Sequence, residues 1–171
     1  MATQPVESGR HIDDSRFECV NGGLLERPMP GKEHAGLQER VRELLRPFAA
    51  ELGGTVLSEW SISDGKGNWL TPDVTFSYPE VKTTRRGHLV VPAYLVVEIR
   101  SVDLPIKDLF GKREGYRAWA VPYYWLIDPI ESAGYECLPN LLLCAEKLTT
   151  DRIEIAVSQF FHSPNSGVDS E

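Results

Sequence analysis

The sequence predicts one α/β (α+β) domain, a mixed β-sheet with helices on its faces and a β-hairpin ahead of it. Three observations carry this. Two nearly continuous apolar runs, AYLVVEIRS (93–101) and VPYYWLIDP (121–129), read as strands buried on both faces. A helical segment lies between them, over 105–120. Upstream, KEHAGLQERVRELLRPFAAELGG repeats apolar residues at helical spacing.

The elements follow in order. FECVNGGLLERPMP (17–30) holds two apolar runs around Asn21-Gly22-Gly23, a hairpin signal, and Pro28 and Pro30 end it. In the helix, Leu37, Val41, Leu44, Leu45, Phe48 and Leu52 form the apolar stripe, and Gly53-Gly54 is the stop. Pro47 sits inside this pattern and should kink or break the helix. TVLSEWSIS (55–63) reads as one strand, 64–68 as a turn, and TPDVTF as the start of another strand with Pro72 at its mouth. After VPYYWLIDP, the pieces YECL, NLLLCAE and RIEIAV are strand-like. Residues 1–15 and 163–171 are polar and predict flexible ends around a single domain spanning 16–162.

Composition narrows the class. A chain of 171 residues can bury a core without disulfides or a structural metal. The net charge of −7 argues against a protein that coats nucleic acid non-specifically, a mode that needs clustered Lys and Arg. Cys19, Cys137 and Cys144 form no C-x-x-C pair, which predicts reduced thiols and a cytoplasmic protein. No apolar run is long enough to span a membrane, and the first residues lack a secretory apolar core.

Two acids stand out by position. Asp73 opens a strand, and Glu98 lies near the end of a buried run. Burying a lone carboxylate costs several kcal/mol unless it is paired or bound to a metal. On neighbouring strands the two could hold a hard divalent cation such as Mg²⁺. Arg100, two residues from Glu98, shares its strand face, and Lys112 lies on the following helix. The residues alone leave two readings open: a metal site, or a salt-bridge network of Glu98 with Arg100 or Lys112.

Taken in order, NGGLLERPMP, Glu33-His34 opening a helix, TPDVTF, LVVEIRS, a helix with Lys112 and Tyr116, and YYWLIDP resemble the Uma-two family of the PD-(D/E)xK nuclease superfamily. The resemblance runs from Phe17 to Pro129. It implies a restriction endonuclease-like fold and Mg²⁺- or Mn²⁺-dependent hydrolysis of phosphodiester bonds in DNA. Asp73 matches the aspartate of the P-D motif and Glu98 the second acid, both expected to hold the metal. The superfamily lysine normally stands two residues after that acid, where this chain has Arg100. Guanidinium is a poor substitute where a tunable pKa is needed. Lys112 is therefore the expected catalytic lysine, with Arg100 in phosphate or structural contact. His34 matches a recurring histidine, which could touch substrate or metal or cap the helix start. The family's Gly-Val turn after this helix is Ala120-Val121 here.

Other residues carry weaker expectations. Tyr116 lies one turn after Lys112 and could orient it or touch phosphate, although packing is the simpler role. Glu33, Glu39 and Glu43 read as solvated helix charge, and Asp128 as a turn cap. The loop carrying Lys82, Arg85 and Arg86 could grip a phosphate backbone. The aromatics and the apolar C-terminal strands predict a homodimer. The acidic net charge and Arg100 in the lysine slot keep open a nuclease fold that serves as a binding or assembly module without turnover. Hydrolysis of a small phosphoester is a third possibility.

Overall fold

A computed structural model describes residues 16–80, 82–90 and 92–162. The ends expected to be flexible, 1–15 and 163–171, lie outside the described residues. β1 (Phe17–Val20) and β2 (Gly23–Glu26) form the expected hairpin. Its turn residues Asn21 and Gly22 both have positive φ, 52° and 76°, as the right-handed twist of a two-residue hairpin requires.

α1 (Lys32–Leu52) buries Leu37, Val41, Leu45 and Ala49, one stripe at helical spacing. It continues through Pro47, so the expected break does not occur. Proline removes one backbone hydrogen bond, and burial of Leu45 and Ala49 on either side holds the helix across that loss. Gly53 ends it in the left-handed conformation, φ 67°.

The run 55–63 is not one strand. β3 (Thr55–Ser58) ends at Glu59, whose φ of 52° turns the chain, and β4 (Ile62–Ser63) joins a different sheet. β5 (Trp69–Leu70) pairs with β4 across a turn in which the Asp64 carboxylate accepts the N–H groups of Lys66 and Asn68. β6 (Val74–Ser77) and β7 (Leu95–Ile99) follow. The helix expected over 105–120 is two short ones, α2 (Ile106–Gly111) and α3 (Arg113–Ala118), jointed at Lys112. There the Lys112 N–H bonds the Leu109 carbonyl, three residues back, which tightens the turn.

β8 (Tyr123–Asp128), β9 (Ala133–Leu138), β10 (Leu141–Ala145), β11 (Lys147–Thr149), β12 (Glu154–Ala156) and α4 (Ser158–Phe161) complete the chain. The six-stranded sheet has the order β10-β9-β8-β7-β6-β3, with β7–β8 its parallel pair and α2–α3 as the crossover. The hairpin belongs to a four-stranded sheet, β2-β1-β5-β4, and β11 pairs with β12. Alternation along β7 sends Leu95, Val97 and Ile99 into the core with α1, and Val96 into a second core with Tyr116 and Tyr124. Both faces of this strand are therefore covered. Among the described residues no helix is long and apolar enough to cross a membrane.

Ala120, standing where the resemblance expects glycine, has a φ of 59°. A left-handed conformation costs an L-residue about 1–2 kcal/mol, part of which glycine returns as chain entropy. Ala120→Gly is expected to stabilise the fold by about 0.5–1 kcal/mol. Urea unfolding reads this as a higher midpoint, and an equal or lower midpoint contradicts it.

Candidate active site

β6 and β7 are antiparallel neighbours with Val74 opposite Val97. One step further along that register, Asp73 stands across from Glu98. Two carboxylates far apart in sequence thus reach one end of the sheet because their strands pair. Asp73 Oδ2 accepts the Ile99 N–H at 2.7 Å and bonds His34 Nε2 at 3.2 Å. Gln38, one turn after His34 on α1, donates its side-chain amide to the Asp73 carbonyl at 2.8 Å. The first two turns of α1 therefore fix the Asp73 backbone and side chain together.

Glu98 is on the face of β7 that α2 and α3 cover. Its Oε1 accepts the Tyr116 hydroxyl and the Lys112 ammonium, the latter at 3.1 Å. Lys112 also donates to Glu18 Oε1 at 2.9 Å, and that oxygen accepts the Thr71 N–H at 3.0 Å. Asp73, Glu98 and Glu18 are all buried, at 6%, 3% and 4% exposure, so their charges interact in a poorly hydrated space. They line a cavity of about 700 Å³ between the hairpin, the ends of β6 and β7, and α2–α3.

Burial is the largest cause that pushes the Glu98 carboxyl up, to about 7, and Asp73 and Glu18 push the same way against Lys112 and Tyr116. Burial pulls Lys112 down, but Glu98 and Glu18 outweigh it and raise the ammonium above its ordinary range. Burial likewise opposes His34, and the hydrogen bond and charge of Asp73 overcome it, so His34 is raised. Burial and then Glu98 raise the Tyr116 phenol, which stays protonated and donates.

Each carboxylate spends one oxygen on these bonds. Asp73 Oδ1, Glu98 Oε2 and Glu18 Oε2 make no hydrogen bond among the described residues. Three buried carboxyl groups share one ammonium, a surplus of acidic oxygens that suits a hard divalent cation. Among the described residues no three His, Cys, Asp or Glu side chains gather closely enough to hold a metal by themselves. Mg²⁺ does not require three, since it is held by one or two carboxylates with waters and substrate phosphate. The Asp73–Glu98 pair fits that donor set.

The other expected residues are placed elsewhere. Arg100 keeps the face of Glu98 but reaches sideways to Asp128 Oδ2 at 2.7 Å. Asp128 Oδ1 accepts the N–H groups of Ile130 and Glu131 and so caps the turn after β8. Glu39 pairs with Arg42 and Arg46, and Glu43 with Arg40, along the outer surface of α1. The loop of Lys82, Arg85 and Arg86 docks beside β4, through bonds of Leu89 with Ser61 and Ser63, and does not line the cavity. Sequence reasoning missed Glu18 and Gln38. Gln38 was available as the i+4 neighbour of His34. Glu18 meets Lys112 across 94 positions, and no local pattern announces such a contact.

The profile of the Uma2 family, described as "Putative restriction endonuclease", matches residues 8–135. The chain belongs to the Uma2 family. A solved structure described as a "putative nuclease belonging to DUF820" from Anabaena variabilis ATCC 29413 is similar over 86% of this chain and 90% of its own, at 15% identity and a TM-score of 0.67. This likeness shows the restriction endonuclease-like fold. A DrdV–DNA complex is similar over 77% of this chain and 14% of its own, at 10% identity and a TM-score of 0.38. No curated protein matches the chain.

The raised Glu98 carboxyl has a consequence for this Uma2 protein's stability. Above the ordinary 4.5 the unfolded chain has released that proton, while the folded chain keeps it until about pH 7. This contribution to stability is full below 4.5 and is lost as pH rises through 7. In EDTA, wild type should lose stability relative to Glu98→Gln across that window in urea unfolding. Parallel curves for the two proteins contradict the assignment.

Proposed function

We propose that this protein is a metal-dependent endonuclease that hydrolyses phosphodiester bonds in DNA, with Asp73 and Glu98 holding Mg²⁺ or Mn²⁺. The supporting observation is the single buried cluster in which two strand-end carboxylates face one cavity beside Lys112. The bound cation supplies Lewis acidity toward a water and a phosphate oxygen. The chain supplies the positioning. The Ile99 N–H and His34 orient Asp73, and Tyr116 orients Glu98. Lys112 remains an ammonium between two acids, so it cannot take a proton from water. Its role is to donate to a phosphate oxygen as negative charge develops in the transition state. Glu18 positions Lys112 for that. Arg100, engaged by Asp128, is assigned a structural contact rather than a catalytic one.

A second reading has an observation in its favour. The Lys112–Glu98 and Lys112–Glu18 ion pairs already satisfy part of the buried charge, as they do in a nuclease fold kept as a binding or assembly module. Calorimetric titration with Mn²⁺ separates the two readings, since only the first requires binding. The nuclease reading also includes a cytoplasmic homodimer, with exposed Leu138, Leu141 and Leu143 along β9 and β10 as the apolar surface a second copy covers. Light scattering measures that state.

Plasmid nicking with Mg²⁺ or Mn²⁺ tests the activity. Asp73→Ala, Glu98→Ala and Lys112→Ala are each expected to slow it by at least about 10²–10³-fold, and EDTA to stop it. Glu18→Gln is expected to cost about 10–100-fold, the range for a residue that orients another. Equal rates in wild type and all variants remove these residues from the mechanism.

A further inference from the structure

A second hollow, of about 610 Å³, lies where the turn 64–68 and the loop 82–88 meet the four-stranded sheet. Among the described residues its lining includes Lys66, Arg85 and Arg86 and no Asp or Glu. In a chain with 25 acids and 18 lysines and arginines, a concave surface of that composition is an electrostatic outlier. The nearby Asp64 carboxylate is committed to its own turn, where it accepts from the N–H groups of Lys66 and Asn68 and from the Asn68 amide. The cavity at Asp73 and Glu98 has the opposite character, with eight carboxylates among its described lining residues against Arg27 and Lys112.

The hollow is also built. Trp69 is buried and fixed by donating its indole N–H to the Phe17 carbonyl at 3.0 Å. The Arg86 guanidinium lies over its ring at 5.5 Å, and the His88 ring packs against it with the ring centroids 5.3 Å apart. This holds Arg86 over the indole, and Lys66, Arg85 and Arg86 are all exposed. Strand alternation joins the hollow to the cavity at Asp73 and Glu98. Glu18 and Val20 line the cavity, and Cys19, paired with Trp69, lines the hollow. At the hairpin tip Asn21 lines the cavity and Gly22 the hollow, and Asn68, which accepts the Gly22 N–H, lines both.

We propose that this hollow docks the phosphodiester backbone of DNA next to the bond placed at Asp73 and Glu98, a role that rests on the nuclease reading. A cavity rich in carboxylates repels a polyanion, so affinity for the strand must come from beside it. Clustered cations supply that affinity by releasing counterions, and guanidinium groups bind phosphate in a bidentate fork. The hairpin tip carries the backbone from one concavity to the other.

The test is fluorescence anisotropy of a fluorescein-labelled DNA duplex in EDTA over a salt series. Lys66→Ala/Arg85→Ala should weaken binding about tenfold and lower the slope of log affinity against log salt by about 2, at 0.9 per phosphate lost. Arg86→Gln should act in the same direction, and unchanged melting temperatures keep the comparison to folded protein. Wild-type affinity and slope in both variants, with plasmid nicking intact in wild type, overturn the hollow and leave the nuclease reading standing. Wild type that neither binds nor nicks DNA overturns both. Binding of an RNA hairpin in preference to the duplex overturns the assignment to DNA.

Discussion

Lys112 stands between Glu18 and Glu98, and three elements are tied through its ammonium: the N-terminal hairpin, the central strand β7 and the joint of α2 and α3. Three buried carboxyl groups, those of Glu18, Asp73 and Glu98, line one cavity here. Desolvation and mutual repulsion make that costly, and a single cation offsets part of it. Its removal leaves Glu98, already pushed up to about 7, facing two other acids with no ammonium beside it. The same arithmetic underlies the proposal that the cluster holds a divalent cation. The structural ion pair and the proposed metal site are thus one electrostatic arrangement, in which charge is balanced by lysine alone or by lysine and metal together.

The sheet delivers the acids to that lysine. β6 and β7 pair antiparallel, so an acid at the start of one meets an acid near the end of the other. β7 and β8 pair parallel, so a crossover must leave the same sheet end and return over the face. That crossover is α2–α3, and it carries Lys112 and Tyr116 over Glu98. α1 closes the other side, where His34 and Gln38 hold Asp73. Each side chain of the candidate site is fixed by a neighbouring element with its own burial, so the cluster is pre-organised by the core rather than by a mobile loop.

Much of this was legible in the sequence. The hairpin, α1 and the buried strands follow from turn chemistry and periodicity, which are local. Asp73 and Glu98 stood out because a charge inside an apolar strand needs an explanation. Lys112 was a candidate from its place on the helix that follows Glu98, and the resemblance preferred it to Arg100. The division of 55–63 between two sheets depends on a left-handed Glu59, and glutamate carries no signal for that conformation. The unbroken passage of α1 through Pro47 depends on burial on either side, which outweighs one missing hydrogen bond. Arg100 has the face the alternation gives it, but its partner is set by Asp128 on the next strand. Glu18 was silent because its burial comes from elements that sequence order does not place beside it.

The central claim is that Asp73 and Glu98 form one cation site next to Lys112. A crystal of the protein soaked in Mn²⁺ and measured for anomalous scattering tests it most directly. The expected result is an anomalous peak in contact with the carboxylates of both Asp73 and Glu98. Empty density there, with Lys112 still bridging Glu18 and Glu98 at millimolar Mn²⁺, contradicts it.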